Sequence, residues 1–314
     1  MHPAYSVILF TSASGAGYGL LIWLALAQLS GAWSLSPVTA VVTCLVALVL
    51  VTAGLLSSTF HLGHPERAWR AMTQWQSSWL SREGVLAVLT YPAALVFTAG
   101  WAWDGISGPL MNAAALATAL LSLATVYSTS MIYASLKTIP RWSNSFVVPV
   151  YMAFALSSGG LLFAVSLSAA GVASKPAMVL LLSVLLIAWL VKWNYWRFID
   201  HQKVESDAGT ATGLGHLGKV SQFEAPHTSD NYLLKEMGYR VARKHAGKLR
   251  RYAIVLGMLL PALFLVLAGN VAGSGQVVLL LLALFSGLTG VVIERWLFFA
   301  EARHLVTLFY GRKV

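Results

Sequence analysis

Apolar residues in this chain come in long unbroken runs rather than in the alternation of a half-buried strand or the stripe of a surface helix. Eight such runs appear: Val7–Leu29, Val38–Ser58, Val85–Trp103, Leu110–Tyr133, Phe146–Ala169, Pro176–Phe198, Tyr252–Ala272 and Gln276–Ala300. A helix of about 20 apolar residues crosses the hydrocarbon of a bilayer. Inside lipid a backbone must satisfy its own N–H and C=O groups, which a helix does. The pattern therefore predicts an all-α integral membrane bundle of eight transmembrane helices, with residues 1–314 as a single transmembrane anchor domain. Small residues recur within the runs, as in Ser14-Gly15-Ala16-Gly17 and Ser157-Ser158-Gly159-Gly160, where they let helices approach closely. The opening MHPAYS carries no Lys or Arg ahead of its apolar run, so the first run reads as a retained helix rather than a cleaved signal.

Composition agrees. The chain is 58% hydrophobic and only 10% charged, with mean hydropathy +0.72, against about 25% charged residues in a soluble domain. So little charge cannot cover a water-facing surface. A soluble enzyme is excluded.

Charge then sets an orientation. An even number of spans puts both termini and loops 2–3, 4–5 and 6–7 on one side. Of the 21 Lys and Arg, all but Lys175 fall there. The positive-inside rule predicts that this side is cytoplasmic. The opposite loops, SGAWSLSP, DGISG, AAGVASKP and VAGSG, are short and nearly neutral. The net charge of +10 is thus gathered along one membrane face, which suits anionic headgroups and a docked protein and not nucleic acid.

Loop 2–3 carries the candidate chemistry, from His61-Leu62-Gly63-His64-Pro65-Glu66-Arg67-Ala68 to Arg82-Glu83. Gly63 and Pro65 predict the end of the second helix, with His61 on its last turn. Trp69, Met72, Trp75 or Gln76, and Trp79 then recur at helical spacing, which predicts an amphipathic helix in the interface. Glu83 is expected to open the third helix, where an acid suits the helix dipole. Read functionally, His61, Arg67 and Glu83 form a polar pocket at the edge of the bilayer. A quinone needs such a place: apolar room for its ring and tail, a histidine that titrates near neutrality, and a carboxylate that relays protons, its charge fixed by Arg67. The same residues also fit an ordinary interfacial histidine, a helix-opening acid and an arginine reaching for headgroups.

Loop 6–7, residues 199–251, is long and basic, and its part from Asp230 to Arg251 predicts an amphipathic helix on headgroups or beneath another subunit. Within it Gly213-Leu214-Gly215-His216-Leu217-Gly218 matches GxGxxG, but follows a membrane helix rather than a strand. The P-loop match fails at Val220, where Ser or Thr should hold magnesium. Nucleotide binding is set aside. The one cysteine, Cys44, lies in VVTCLVALV and reads as packing. The histidines are His2, His61, His64, His201, His216, His227, His245 and His304. None falls at mid-membrane, where paired haem ligands would sit, although His61 and His304 share one boundary. Lys192, Arg197, Glu294 and Arg295 sit near the ends of the sixth and eighth helices and are expected to reach out to the interface.

Three segments resemble the membrane-anchor subunits of dimethyl-sulfoxide-reductase-type molybdenum enzymes: His61-Leu62-Gly63-x-Pro65-x-Arg67-Ala68, Ser81-Arg82-Glu83, and Tyr133-x-Ser135-x-x-Thr138-x-Pro140-x-Trp142. The eight-helix layout is similar too. The resemblance implies a three-subunit enzyme, in which a molybdopterin catalytic subunit and an iron–sulfur subunit docked on the cytoplasmic loops exchange electrons with quinone (ubiquinone or menaquinone) at this anchor. It implies quinone-site roles for His61 and Glu83, places His64, Arg67, Tyr133 and Trp142 among the pocket candidates, and implies no haem and no metal in this chain. The inward orientation and the opening MHPAYSVILFTSASGAGYG are similar to the cytoplasm-facing, sulfite-oxidising branch, whereas the long basic loop departs from the reductase pattern. An oxide reductase drawing electrons from quinol, and a purely structural anchor, remain alternatives. A transporter would need charged or broken helices at mid-membrane and an internal repeat, and neither is evident.

Overall fold

The computed structural model describes residues 5–60, 62–103, 105–106, 108–202, 206–221, 223–224 and 243–310. Among the described residues there is no strand. Eight helices among the described residues are long and apolar enough to cross a membrane. They are α1 (Tyr5–Ser30), α2 (Pro37–Thr59), α3 (Trp79–Ala102), α4 (Gly108–Ala134), α5 (Val147–Ala169), α6 (Lys175–His201), α7 (Ala246–Ala268) and α8 (Ser274–Ala300).

Local signals set their ends. Ser36 and Ser174 cap α2 and α6 by accepting from the backbone N–H of Thr39 and Ala177, and Pro37 and Pro176 occupy first-turn positions where no donor is missed. After α5 the chain turns out at Gly171, whose φ of 70° lies in the left-handed region. Many threonine hydroxyls inside the spans are satisfied within their own helix. Thr98, Thr118 and Thr125 donate to the carbonyl four residues back at 2.7, 2.7 and 2.8 Å.

Helix α1 runs through the centre, packed against α2, α4 and α5, while α5 also meets α6 and α8. The small residues make this possible. A Cβ on Gly19 would lie 1.8 Å from the Ala155 carbonyl oxygen, and one on Gly159 would lie 2.2 Å from the Gly19 carbonyl carbon. Cys44 is fully buried in the α2 packing face.

Helix α7 begins at Ala246, six residues before the expected Tyr252, because the basic Lys248–Arg251 turn continues the helix instead of preceding it. Its five-residue π turn, Val255–Leu259, precedes Pro261, which cannot donate into the ladder. There Gly257 meets Trp189 and Gly290, and a Cβ would fall 2.2 Å from the Trp189 ring. In loop 6–7 the glycine-rich motif forms the end of a short helix, Ala208–Thr212, and a 3-10 turn, Gly215–Leu217. Asp207 caps that helix, and the Thr210 N–H holds its carboxyl below the usual carboxylate range. Residues 225–242, most of the amphipathic helix expected over Asp230–Arg251, lie outside the described residues.

Candidate functional site

The stretch after α2 forms a 3-10 helix, Pro65–Gln74, rather than the α-helix that the spacing predicts. It lies on α3 because of the Ser81-Arg82-Glu83 segment. Ser81 is buried and its hydroxyl donates to the Ala71 carbonyl. Arg82 stacks on Trp79 and donates to the Trp75 and Gln76 carbonyls at 3.0 and 2.6 Å. Helix α3 starts six residues before the expected Val85, capped by Ser78. Glu83 is therefore not the helix-opening acid. It sits on the second turn and points inward, 4% exposed. Its carboxylate accepts from the hydroxyl of Thr129 on α4.

Beside Glu83 the strapped segment encloses a cavity of about 570 Å³ between α1, α2, α3 and α4. Its walls are almost wholly apolar: Phe10, Leu55, Met72 and Ala87 typify them, with Glu83 and Tyr133 supplying polar groups. Trp69, Leu80 and Val88 also line it and are more than half exposed, so the cavity borders the outer, lipid-facing side of the bundle.

The sequence candidates divide. Glu83 and Tyr133 line this cavity. His61 lies outside the described residues, although its chain neighbours Thr59 and Leu62 are wall residues. His64 and Arg67 are turned to solvent and engage Glu66, at 3.0 and 3.8 Å. Arg67 therefore does not fix the charge of Glu83. Trp142 is buried elsewhere, stacked on Phe298 at 5.4 Å and on edge to Tyr133 at 5.2 Å, with its indole N–H donated to the Phe298 carbonyl. It fastens the loop after α4 to α8. His304 closes the same aromatic cluster at 5.9 Å from Trp142. Among the described residues no group of His, Cys, Asp and Glu is placed to hold a metal ion.

A second polar centre was not anticipated. Lys192 and Glu294 are fully buried and Arg295 is 2% exposed, so none of the three reaches the interface. Lys192 Nζ lies 2.5 Å from Glu294 Oε1, and Arg295 Nε lies 3.3 Å from Glu294 Oε2. Both cations also face rings, Lys192 over Tyr195 at 4.0 Å and Arg295 over Tyr151 at 3.8 Å. Nearer the surface, Arg250 clasps Asp200 with two bonds of 2.6 and 3.0 Å and Glu301 with one of 2.6 Å. Arg141 donates to the Glu301 carbonyl, and burial together with Arg303 pushes its guanidinium below the ordinary arginine value. These contacts gather the loop after α4 and the ends of α6, α7 and α8 into one ionic patch.

Eight long apolar helices with a buried carboxylate beside a wide apolar cavity define a multi-pass membrane protein with a site at the edge of its bundle. The chain belongs to the DMSO reductase anchor subunit (DmsC) family, whose model matches residues 1–312. It is 34% identical to a sulfite dehydrogenase subunit of Allochromatium vinosum, the match covering 99% of each chain.

Proposed function

We propose that this chain is the quinone-binding membrane anchor of a sulfite dehydrogenase, passing electrons from an iron–sulfur subunit to the quinone pool while a molybdopterin subunit oxidises sulfite. Family membership and the likeness to a sulfite dehydrogenase subunit support the assembly. The observation that carries the quinone step is the cavity beside Glu83: about 570 Å³, inside the range of roughly 300–1,000 Å³ common for small-molecule sites, apolar, bordering lipid, and holding one carboxyl group against a hydroxyl.

A quinone bound there takes up two electrons and two protons. The chain's part is to hold the ring and to move protons. Apolar walls from four helices exclude water around the ring. Glu83 is placed to give a proton to a quinone oxygen and to recover one afterwards, with Thr129 orienting it. Tyr133 offers a second hydroxyl at the same wall. His61, between wall residues Thr59 and Leu62, is the candidate partner for the other oxygen, where a group titrating near neutrality suits proton exchange. The docking face is the basic one, in the cytoplasm, as the distribution of Lys and Arg supports.

In the assembled complex, Glu83→Gln is expected to lower sulfite-to-quinone turnover by about 100-fold or more, the scale of general acid–base catalysis. Sulfite oxidation with a soluble electron acceptor should persist. Full quinone turnover in that variant would leave only a structural anchor. Buried Cys44 leaves the surface clear for single-cysteine labelling. Arg67→Cys should label only from the cytoplasmic side and Lys175→Cys only from the other, and the reverse pattern would favour an outward-facing reductase.

A further inference from the structure

Behind Glu83, away from the quinone cavity, lies a second and much smaller chamber of about 10 Å³. That is the room one water molecule requires, roughly 10–15 Å³ on the same measure. Its walls are unusually polar for the middle of a membrane bundle: Ser12 and Ser14 of α1, Thr129 of α4, Tyr151 and Ser158 of α5, and Arg295 of α8. Ser14 and Ser158 already donate to carbonyls of their own helices at 2.6 Å. Ser12 Oγ and Arg295 Nη1, on residues 7% and 2% exposed, have no hydrogen-bond partner among the described residues. Buried polar groups are rarely left so. A water in this chamber has a donor in Arg295, an exchangeable hydroxyl in Ser12 and an acceptor oxygen in Thr129.

Thr129 links the two chambers. Its hydroxyl lies within bonding reach of the Glu83 carboxyl and is 3.0 Å from the Thr125 carbonyl. When Glu83 is ionised, Thr129 donates to it. When Glu83 is protonated, Glu83 donates to Thr129, which turns its own proton to Thr125. One hydroxyl thus serves both protonation states without movement of the helices. On the far side stands a surplus charge. Lys192 and Glu294, 2.5 Å apart, cancel each other, so the net positive charge of the Lys192–Glu294–Arg295 centre belongs to Arg295, whose side chain lines the chamber.

We propose that Arg295 is the electrostatic partner of Glu83, acting as a positioning residue through Thr129 and one bound water, so that Glu83 can ionise when it gives its proton to the quinone. Resting on the quinone reading above, this supplies the cation that Arg67 does not. A guanidinium holds its charge at any working pH and does not itself carry the proton. No proton passes beyond the chamber: Glu83 loses one to the quinone oxygen and regains one from the aqueous face once the quinol has left the cavity. Among the described residues the other ionisable groups around Glu83 are the phenols of Tyr18 on α1, Tyr133 on α4 and Tyr151 on α5, none of them a cation, and Arg82 beside it on α3 is turned to the Trp75 and Gln76 carbonyls.

The test is quinone turnover by the assembled complex. Arg295→Gln leaves the Lys192–Glu294 pair charge-balanced, and should lower kcat about tenfold at unchanged quinone KM, with Arg295→Lys recovering most of the loss. In a Glu83→Gln background the Arg295→Gln change should cost nothing further. The milder Ser12→Ala and Thr129→Val, which keep the charges, should each lower kcat severalfold, so the claim stands or falls even if Arg295→Gln fails to assemble. A KM rise in place of a kcat loss, equal losses with and without Glu83, or wild-type kcat in Ser12→Ala and Thr129→Val would overturn it. Should Glu83→Gln itself retain full quinone turnover, the quinone site fails instead.

Discussion

Glu83 and Glu294 are both buried in membrane helices, and their settings are opposites. Glu294 is gripped by Lys192 at 2.5 Å and Arg295 at 3.3 Å, with aromatic rings packed over both cations. Glu83 has one hydroxyl for company and a wide apolar cavity beside it. A carboxylate held between cations cannot change its protonation without leaving an uncompensated charge in the core, so Glu294 belongs to the architecture. A carboxyl with a neutral, reversible partner can gain and lose a proton at modest cost. The same residue type is thus a fixture where two cations hold it and, in the proposed function, a reagent where a single hydroxyl does.

Stability separates the two most sharply. Glu294→Ala leaves two cations unbalanced in the bundle and is expected to cost about 3–5 kcal/mol, the usual result of breaking one half of a buried pair. Glu83→Gln should cost no more than about 1 kcal/mol, and unfolding of the two variants in detergent would measure the difference. Equal losses would dissolve the contrast. Next in size, Gly84→Leu extends a side chain into the proposed quinone cavity from the turn that carries Glu83. Its Cβ would meet only the flexible end of Met72, at 3.3 Å. Quinone KM should rise about tenfold with kcat nearly unchanged, whereas a fall in kcat alone would mean that the cavity is not where the ring sits. Smallest is Arg67→Ala. An exposed ion pair contributes about 1 kcal/mol at most, and with Arg67 turned to Glu66 the quinone kinetics should move by less than about twofold. A tenfold loss would restore Arg67 to the pocket.

The spans were legible because hydrophobic run length alone specifies them, and their starts moved furthest where polar turns continue a helix, as at Trp79 and Ala246. The short polar segments around Glu83 drew attention to the corner that holds the cavity. What the sequence did not disclose was direction. In a helix that is apolar on every side, no stripe tells which face is inward, so Glu83 read as a cap and Lys192, Glu294 and Arg295 as groups reaching for water. A signal was available for the last three. Lys192 recurs with Tyr195, Trp196 and Ile199 at three- and four-residue steps, and Glu294 and Arg295 with Val291, Leu297 and Phe298, all of them buried. Opposite charges sharing such a register on two helices mark a common inward face. Trp142 was misplaced for a different reason: its partners come from α8, more than 150 residues away, and no local pattern reports a contact at that range.

The backbone crossing of Gly19 on Gly159 leaves no slack between the first and fifth helices. Those two rods form a keel, and the wall that Phe10 lends to the site is anchored to it. The more yielding wall is the ten-residue 3-10 strap, tied to α3 through Ser81 and Arg82 and bearing the exposed Trp69. The strap is the natural doorway and the keel the doorpost, so amide exchange should be fast along Pro65–Gln74 and slow across the glycine crossing.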